Sequence, residues 1–300
     1  MDLIEKGKRS DARAALLALE PNLKNPNLRL QLIDASLGVL DPLKDNTTQI
    51  RLASEGIRMA TAAGLGYLQA HFMARSADLL MMQVALRQHR QKKLKLAQEW
   101  MEFSTEADKR EYEQLTEEVD KLEKEIDGLS SGAIALAEAS GDKRIQGYVL
   151  LSKAGIESSR YLRFKADCMV HSFRAKLWMK YEFMRLPFFE TLMMFSNGDA
   201  KKLQAYIKLF TKSFLDAARL FESIDDSTAA VAYHNLANDL KGAYRFRAAR
   251  KYLAMGKANA LKHSDEQMLR RIELMEKEIK GKNRNLPDYL NGETRDLDTL

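Results

Sequence analysis

The sequence predicts an all-α protein of stacked antiparallel helix pairs that carries a projecting coiled-coil hairpin. Three observations predict it. Glycine and proline, 15 and 5 of 300 residues, reach about half their usual share. A sheet-rich fold needs a turn signal roughly every 8–12 residues and finds too few here. Apolar residues recur at helical spacing along most of the chain. No glycine or proline interrupts residues 67–127, and that interval holds nearly all of a heptad hairpin at about 86–129.

Taken in order, residues 1–20 read as a helix with Ala12, Ala15, Leu16 and Leu19 on one face, ending at Pro21. Asn27 can cap a helix to about Leu40, before Pro42. Asp45, Asn46 or Thr47 can cap the next, which ends at Ala62-Ala63-Gly64. A long helix follows from Tyr67 to about Phe103. Ser104-Thr105-Glu106-Ala107 then forms an N-cap with Asp108 in support of a helix to about Leu129. Gly128 and Ser130-Ser131-Gly132 are possible interruptions, and Gly141-Asp142 ends the stretch. Helices are expected over 142–164 and 165–195, with a kink near Pro187. Asn197-Gly198-Asp199 reads as a turn in which Asp199 caps a helix ending near Ile224-Asp225-Asp226. Further helices cover 227–241, 245–262 and, capped by Ser264-Asp265, a run to about Ile279. Residues 283–300 lose periodicity and read as a tail, leaving 1–282 as one helical-repeat domain with the hairpin inserted at about 86–129.

The hairpin is the clearest pattern. Tyr112, Leu115, Val119, Leu122, Ile126 and Leu129 alternate at three and four residues. Leu86, His89, Lys93, Leu96, Trp100 and Phe103 follow the same alternation. Folded back about 104–111, Phe103 faces Tyr112, Trp100 faces Leu115, Leu96 faces Val119 and Lys93 faces Leu122. An arm of about 18 residues a side is roughly 27 Å long. His89 and Lys93 are polar intruders that set register or snorkel towards Glu118 and Glu125.

Small residues also repeat. Ala60-Thr61-Ala62-Ala63-Gly64 before Gly66-Tyr67 resembles Ala137-Glu138-Ala139-Ser140-Gly141 before Gly147-Tyr148, and Ala258-Asn259-Ala260 to Ser264-Asp265 is a third such helix end. Within 230–263, Tyr233, Leu236, Ala237 and Leu240 precede Ala249, Leu253 and Gly256. This unit resembles a tetratricopeptide repeat, although Leu261 stands where that family closes with proline. The segments 28–64, 67–141 and 142–195 resemble the family in helix pairing and small-residue spacing. The resemblance implies a concave groove, lined by the first helix of each unit, that holds extended peptides. It places His234, Asn238 and Lys241 on that groove as partner-binding residues. An asparagine there hydrogen-bonds peptide backbone and a lysine meets a carboxylate.

Composition narrows the classes. With 45% hydrophobic and 30% charged residues, collagen-like, low-complexity and disordered chains are excluded. A single cysteine, Cys168, forms no intramolecular disulfide, so a reducing compartment, cytoplasmic or nuclear, is expected. No transmembrane run or N-terminal apolar signal region is read from the sequence. No metal-ligand spacing, phosphate loop or catalytic motif occurs, and His71, His89, His171, His234 and His263 share no ligand spacing. No enzyme activity, cofactor or metal is therefore expected, although a site assembled from distant residues remains a third class.

The net charge of +6 and pI near 9.1 permit an anionic partner. Arg87, Arg90, Lys92, Lys93 and Lys95 face the acids of the descending hairpin helix and are expected to be neutralised there. Arg160, Arg163, Lys165, Arg174, Lys176, Lys180 and Arg185 form a second cluster, and Lys241, Arg245, Arg247, Arg250, Lys251 and Lys257 a third. Of these, Arg160, Arg163, Lys165, Arg245, Arg247, Arg250 and Lys251 are the candidate anion-binding residues, against a solvated face. The Met-rich run 183–195 reads as core, or as a docking groove. The expected function is a scaffold or adaptor that binds a protein or peptide through its concave face or its arm. The alternative is a nucleic-acid-binding protein using the basic faces at 160–185 and 241–257.

Overall fold

A computed structural model describes residues 25–41, 45–101, 105–171, 197–243 and 245–283, without the side chains at 92–93, 95–101, 166–171, 197–200 and 281–283. The expected helix over 1–20, the kink at Pro187, the Met-rich run, the side chain of Cys168 and the tail from 284 lie outside that description. Among the described residues all regular structure is helical. The helices are α1 (Pro26–Val39), α2 (Asn46–Ala62), α3 (Gly66–Met101), α4 (Glu106–Ser140), α5 (Lys143–His171), α6 (Asn197–Ser223), α7 (Thr228–Gly242), α8 (Phe246–Lys262) and α9 (Glu266–Asn283). They divide into two compact units between Ser152 and Lys153.

Local chemistry sets the helix ends. Asn25, not Asn27, caps α1: its side chain accepts from Asn27 N at 2.9 Å, and Pro26 occupies the first turn, where its missing N–H costs nothing. Thr105 and Asp108 close a reciprocal capping box on α4. Gly141 ends it in the left-handed conformation, φ +69°. Neither Gly128 nor Gly132 interrupts α4. A Cβ at position 132 would lie 2.5 Å from Met73 Cε, the far end of a flexible side chain. Asp142 caps α5, accepting from Arg144 N and Ile145 N at 2.8 and 3.2 Å. No break falls near residue 164: α5 is continuous from Lys143 to His171. Asn197 and Gly198 are already helical, so Asp199 lies within α6 and not at its cap.

In the first unit, Leu30, Ile33, Leu37 and Leu40 pack with Leu52, Ala53 and Ala60 of α2 and with Phe72 and Leu79 of α3. Behind α3, Ala70 and Ala74 meet Ala133 and Ala137 of α4 and Val149 of α5. Small side chains there let the backbones approach closely.

α3 and α4 run antiparallel. On α4, Val119 and Ile126 are buried, and Tyr112, Leu115, Leu122 and Leu129 are half-buried. On α3 the phase differs. Leu86 is 49% exposed and His89 is exposed, while Val84 and Leu94 are buried. The register differs too. Arg87 Nε bonds Glu118 Oε2 at 2.7 Å, Arg90 Nε bonds Glu111 Oε1 at 2.7 Å, and Gln91 Nε2 bonds Thr116 Oγ1 at 2.9 Å. The sequence register sets Glu118 opposite position 97, ten residues and about 15 Å further along α3, which is too far for Arg87 to reach. The cause is the turn: α4 starts at Glu106, well before the end of the expected 104–111 fold-back. Phe103 and the Trp100 side chain lie outside the described residues.

In the second unit, Tyr161 of α5 meets Phe210 of α6 edge-on at 5.6 Å. Phe214, Ala217, Ala218 and Phe221 of α6 are buried, as are Ala229, Ala230, Tyr233, Leu236, Ala237 and Leu240 of α7. Ala249, Leu253, Gly256 and Ala260 of α8 are buried in turn, as are Met268, Ile272, Met275 and Ile279 of α9. α7 touches both α8 and α9.

The two units share a pattern of which the sequence showed only the similar helix ends. Leu30, Ile33 and Leu37 are buried on α1 and Leu40 at its C-cap; Ala230, Tyr233, Ala237 and Leu240, each 200 positions further on, are buried on α7. The turn after the following helix is the same as well. Leu65 N bonds Ala60 O at 2.9 Å and Gly64 N bonds Thr61 O at 3.1 Å; Asp265 N bonds Ala260 O at 2.9 Å and Ser264 N bonds Leu261 O at 3.2 Å. Both are Schellman ends, with Gly64 at φ +66° and Ser264 at φ +54°.

Candidate functional site

Spacing places His234, Asn238 and Lys241 one helical turn apart on α7. Asn238 is exposed, and His234 and Lys241 are half-buried. α9 lies beside them. Lys241 Nζ bonds Glu278 Oε2 across the two helices at 2.7 Å. Burial first, then the charges of Arg271 and Lys241, holds the His234 imidazole below its ordinary pKa. Arg271, Leu274 and Glu278 stand at i, i+3 and i+7 on α9, all exposed, and Leu274 is 61% exposed. The face thus combines an amide, cationic groups and an uncovered leucine. α9's share of it was missed, because nothing in the sequence says which helix lies alongside α7.

The corresponding face of the first unit carries more chemistry, and no sequence signal pointed to it. The Asp34 carboxylate of α1 accepts from His71 Nε2 of α3 at 2.7 Å. That contact holds the Asp34 carboxyl below its usual range. One turn on, Arg75 Nη2 donates to Leu37 O at 3.4 Å. A further turn on, Asp78 meets the Ser152 hydroxyl of α5 at 2.8 Å. Tyr148 of α5 sets its ring edge-on to His71 at 6.4 Å. Burial raises the Asp78 carboxyl to about 6, against the pull of Ser152, Arg75 and His71. In the second unit Asp239 of α7 is likewise raised to about 6 by burial, with Ser158 of α5 as its hydrogen-bonding partner.

The basic residues are spread and engaged. Lys165 Nζ donates to the Gly242 carbonyl at 3.1 Å, at the C-terminal end of α7 where cations are favoured. Lys251 lies over the Tyr252 ring, 5.8 Å from its centroid. Arg247, Arg250 and Lys251 are exposed on α8, Arg245 is half-buried at its start, and Arg160 and Arg163 are half-buried on α5. Arg160, Arg163, Lys165, Arg247, Arg250 and Lys251 all have interaction partners. Arg174, Lys176, Lys180 and Arg185 lie outside the described residues. Arg87 and Arg90 are neutralised by Glu118 and Glu111, as the charge pattern led us to expect. Among the described residues no group of three or more His, Cys, Asp or Glu side chains comes together to hold a metal ion, and no helix is long and apolar enough to cross a membrane.

No family model matches the chain, and no curated protein matches it.

Proposed function

We propose that this protein is a non-catalytic, tetratricopeptide-like scaffold that holds an extended peptide segment of a protein partner on the α7/α9 face. One observation carries the reading: Leu274, 61% exposed, stands between Arg271 and Glu278 on α9, beside His234, Asn238 and Lys241 on α7. A peptide with an acidic and an apolar side chain matches that set. Its apolar side chain covers Leu274, Asn238 bonds its backbone, and its carboxylate meets Arg271 or competes with Glu278 for Lys241. The close packing of Gly256 on Tyr233, where an added Cβ would stand 3.2 Å from Tyr233 Cβ, supports the tetratricopeptide-like pairing of α7 and α8. The α3/α4 hairpin, read as an arm, offers a second surface.

The test is capture from a displayed peptide library by the intact chain, by Asn238→Ala and Leu274→Asp, and by a chain lacking residues 86–129. The expected result is recovery of acidic-apolar peptides that both face variants lose and the deletion keeps. Loss only on deletion would move the site to the arm, and capture indifferent to all three changes would overturn the reading.

A nucleic-acid surface is the second reading. The Lys165–Gly242 contact favours it by bringing the basic cluster of α5 to the head of the cluster beyond α7. The engagement of most of these bases within the protein weighs against it. Binding to single- or double-stranded DNA or RNA that falls steeply with salt would support this reading, and its absence at low salt would remove it.

A further inference from the structure

The third helix of each unit differs in what covers it. α1, α2 and α3 match α7, α8 and α9 at an offset of 200 positions. The turns at Gly64 and Ser264 close alike. A Cβ added at Gly56 would meet Phe72 at 2.7 Å, and one added at Gly256 would meet Ile272 Cδ1 at 3.7 Å. Ala74 of α3 is therefore the counterpart of Leu274 of α9. In the first unit α4 folds back along α3, and Ala133 and Ala137 pack with Ala70 and Ala74, which is 6% exposed. In the second unit α9 packs on α8 and α7. Leu274, 61% exposed, is the most exposed large apolar side chain among the described residues. The chain that follows α3 supplies its cover, and the chain that follows α9 is 284–300.

That segment has the reach and the chemistry. Leu274 stands nine residues before the end of α9, about 14 Å along the helix. The seven residues 284–290, extended, span about 23 Å. A chain that turns back at 283 can therefore bring Asp288-Tyr289-Leu290 alongside Leu274. Arg271 and Lys277 flank Leu274, three residues to either side, and both are exposed. Arg270 and Lys280 add two more exposed cations. Of the acids on α9, Glu266 meets Arg270 and Glu278 is bonded to Lys241, which leaves Glu273 beside Leu274. Residues 284–300 carry Asp288, Glu293, Asp296 and Asp298 against Arg284 and Arg295, so their charge is opposite to that of α9's outer cations. The order along the chain agrees as well: a returning chain passes Lys277 before Leu274, and Asp288 precedes Tyr289 and Leu290.

We propose that Asp288-Tyr289-Leu290 is the resident occupant of the exposed α9 face in the same molecule, with Tyr289 and Leu290 over Leu274 and Asp288 against Lys277. An acid followed by two apolar side chains has the chemistry that the face calls for. Resting on the reading of α7 and α9 as a peptide face, this makes the segment a built-in competitor that a partner must displace.

The experiment uses the full chain with labelled leucine methyls. Expected are a nuclear Overhauser contact between the Leu274 methyls and the Tyr289 ring, and an upfield shift of those methyls that Tyr289→Ser removes. Asp288→Lys should weaken the contact, and adding Lys277→Glu should restore it. The substitutions at 288–290 lie beyond the packed helices, so they test docking and not folding. The double variant Tyr289→Ser/Leu290→Ser should also capture several-fold more acidic-apolar peptide from a displayed library than the parent does. Leu274 methyls indifferent to Tyr289→Ser would overturn the proposal. So would a contact that fades on dilution, which would seat the segment on a second copy. The two readings fail separately. Peptide capture by the parent without a Leu274–Tyr289 contact removes the resident occupant and keeps the peptide face. A Leu274–Tyr289 contact in a protein whose double variant captures no peptide keeps the occupant and removes the peptide face.

Discussion

Gly56 of α2 lies flat against the Phe72 ring of α3, so close that a Cβ at position 56 would stand 2.7 Å from two ring carbons. Phe72 is fully buried and cannot swing away, so the glycine is a packing requirement and not a flexible joint. Gly56→Ala should therefore destabilise the protein, with overpacking costing about 1–3 kcal/mol against a helix-propensity gain of up to about 1 kcal/mol. Gly128 on α4 has nothing within 4 Å of an added Cβ. Gly128→Ala should stabilise by up to about 1 kcal/mol. Urea unfolding of the two variants beside the parent checks both, and equal effects of one sign would contradict the packing account.

The hairpin's register makes a charge-swap prediction. Arg87 bonds Glu118 across α3 and α4, and Gln114 also donates to that carboxylate. Together they hold Glu118 below its usual range. Arg87→Glu should lower the unfolding temperature by setting like charges opposite each other. Adding Glu118→Arg should restore most of the loss, with both effects shrinking at high salt. Failure of the swap to rescue would mean that the two residues are not paired in solution. Crosslinking cysteines at 91 and 116 is a second check, since Gln91 and Thr116 are in contact.

What the sequence disclosed and what it hid follow from how each feature is encoded. The α4 stripe was legible because six apolar residues repeat along it in unbroken alternation. The α3 partner stripe was not. Beyond Val84 its apolar residues are too sparse to fix a phase. Gly132 was open to reading as an interruption because a glycine inside a helix and one at a turn look alike in sequence. The capping box at Thr105 and the end at Gly141 were legible because both rest on short-range hydrogen bonding. Of the candidate site, the three α7 positions came only from what the resemblance of 230–263 to a tetratricopeptide repeat implies. Arg271, Leu274 and the Asp34–His71–Asp78–Ser152 group could not be read. Asp78 and Ser152 are 74 positions apart, and no local pattern announces a polar contact across packed helices.

The Asp239–Ser158 pair predicts a pH-dependent stability. Burial raises the folded-state carboxyl to about 6, above its unfolded value near 4. Between those values the folded state binds more protons than the unfolded one. Stability from this group is therefore fully present below about pH 4 and is lost as pH rises towards 6. Asp239→Asn should raise the unfolding temperature at pH 7.5, have little effect at pH 4, and flatten the profile between them. Differential scanning calorimetry across that window tests it. A variant profile parallel to the parent's would show that Asp239 titrates normally.

Gln49 carries a last prediction about how α1 ends. It is 1% exposed, and its Nε2 donates to the Leu37 and Leu40 carbonyls at 3.0 and 3.2 Å. Those oxygens belong to the last turn of α1 and lack an intrahelical partner. In the second unit the matching turn closes on itself: Ala243 N and Arg245 N both bond Leu240 O, so Ala249 suffices where Gln49 is needed. Gln49→Leu keeps the volume but takes the side-chain donor from the Leu40 carbonyl and leaves the Leu37 carbonyl only its long bond from Arg75, a cost of about 1–3 kcal/mol. Ala249→Leu lacks that loss and pays only for its added bulk. Hydrogen exchange separates the cases, because Gln49→Leu should speed opening of the last turn of α1, around 36–41, more than that of its own helix α2. Uniform acceleration across the first unit would mean that Gln49 is ordinary core and that the helix end is held by something else.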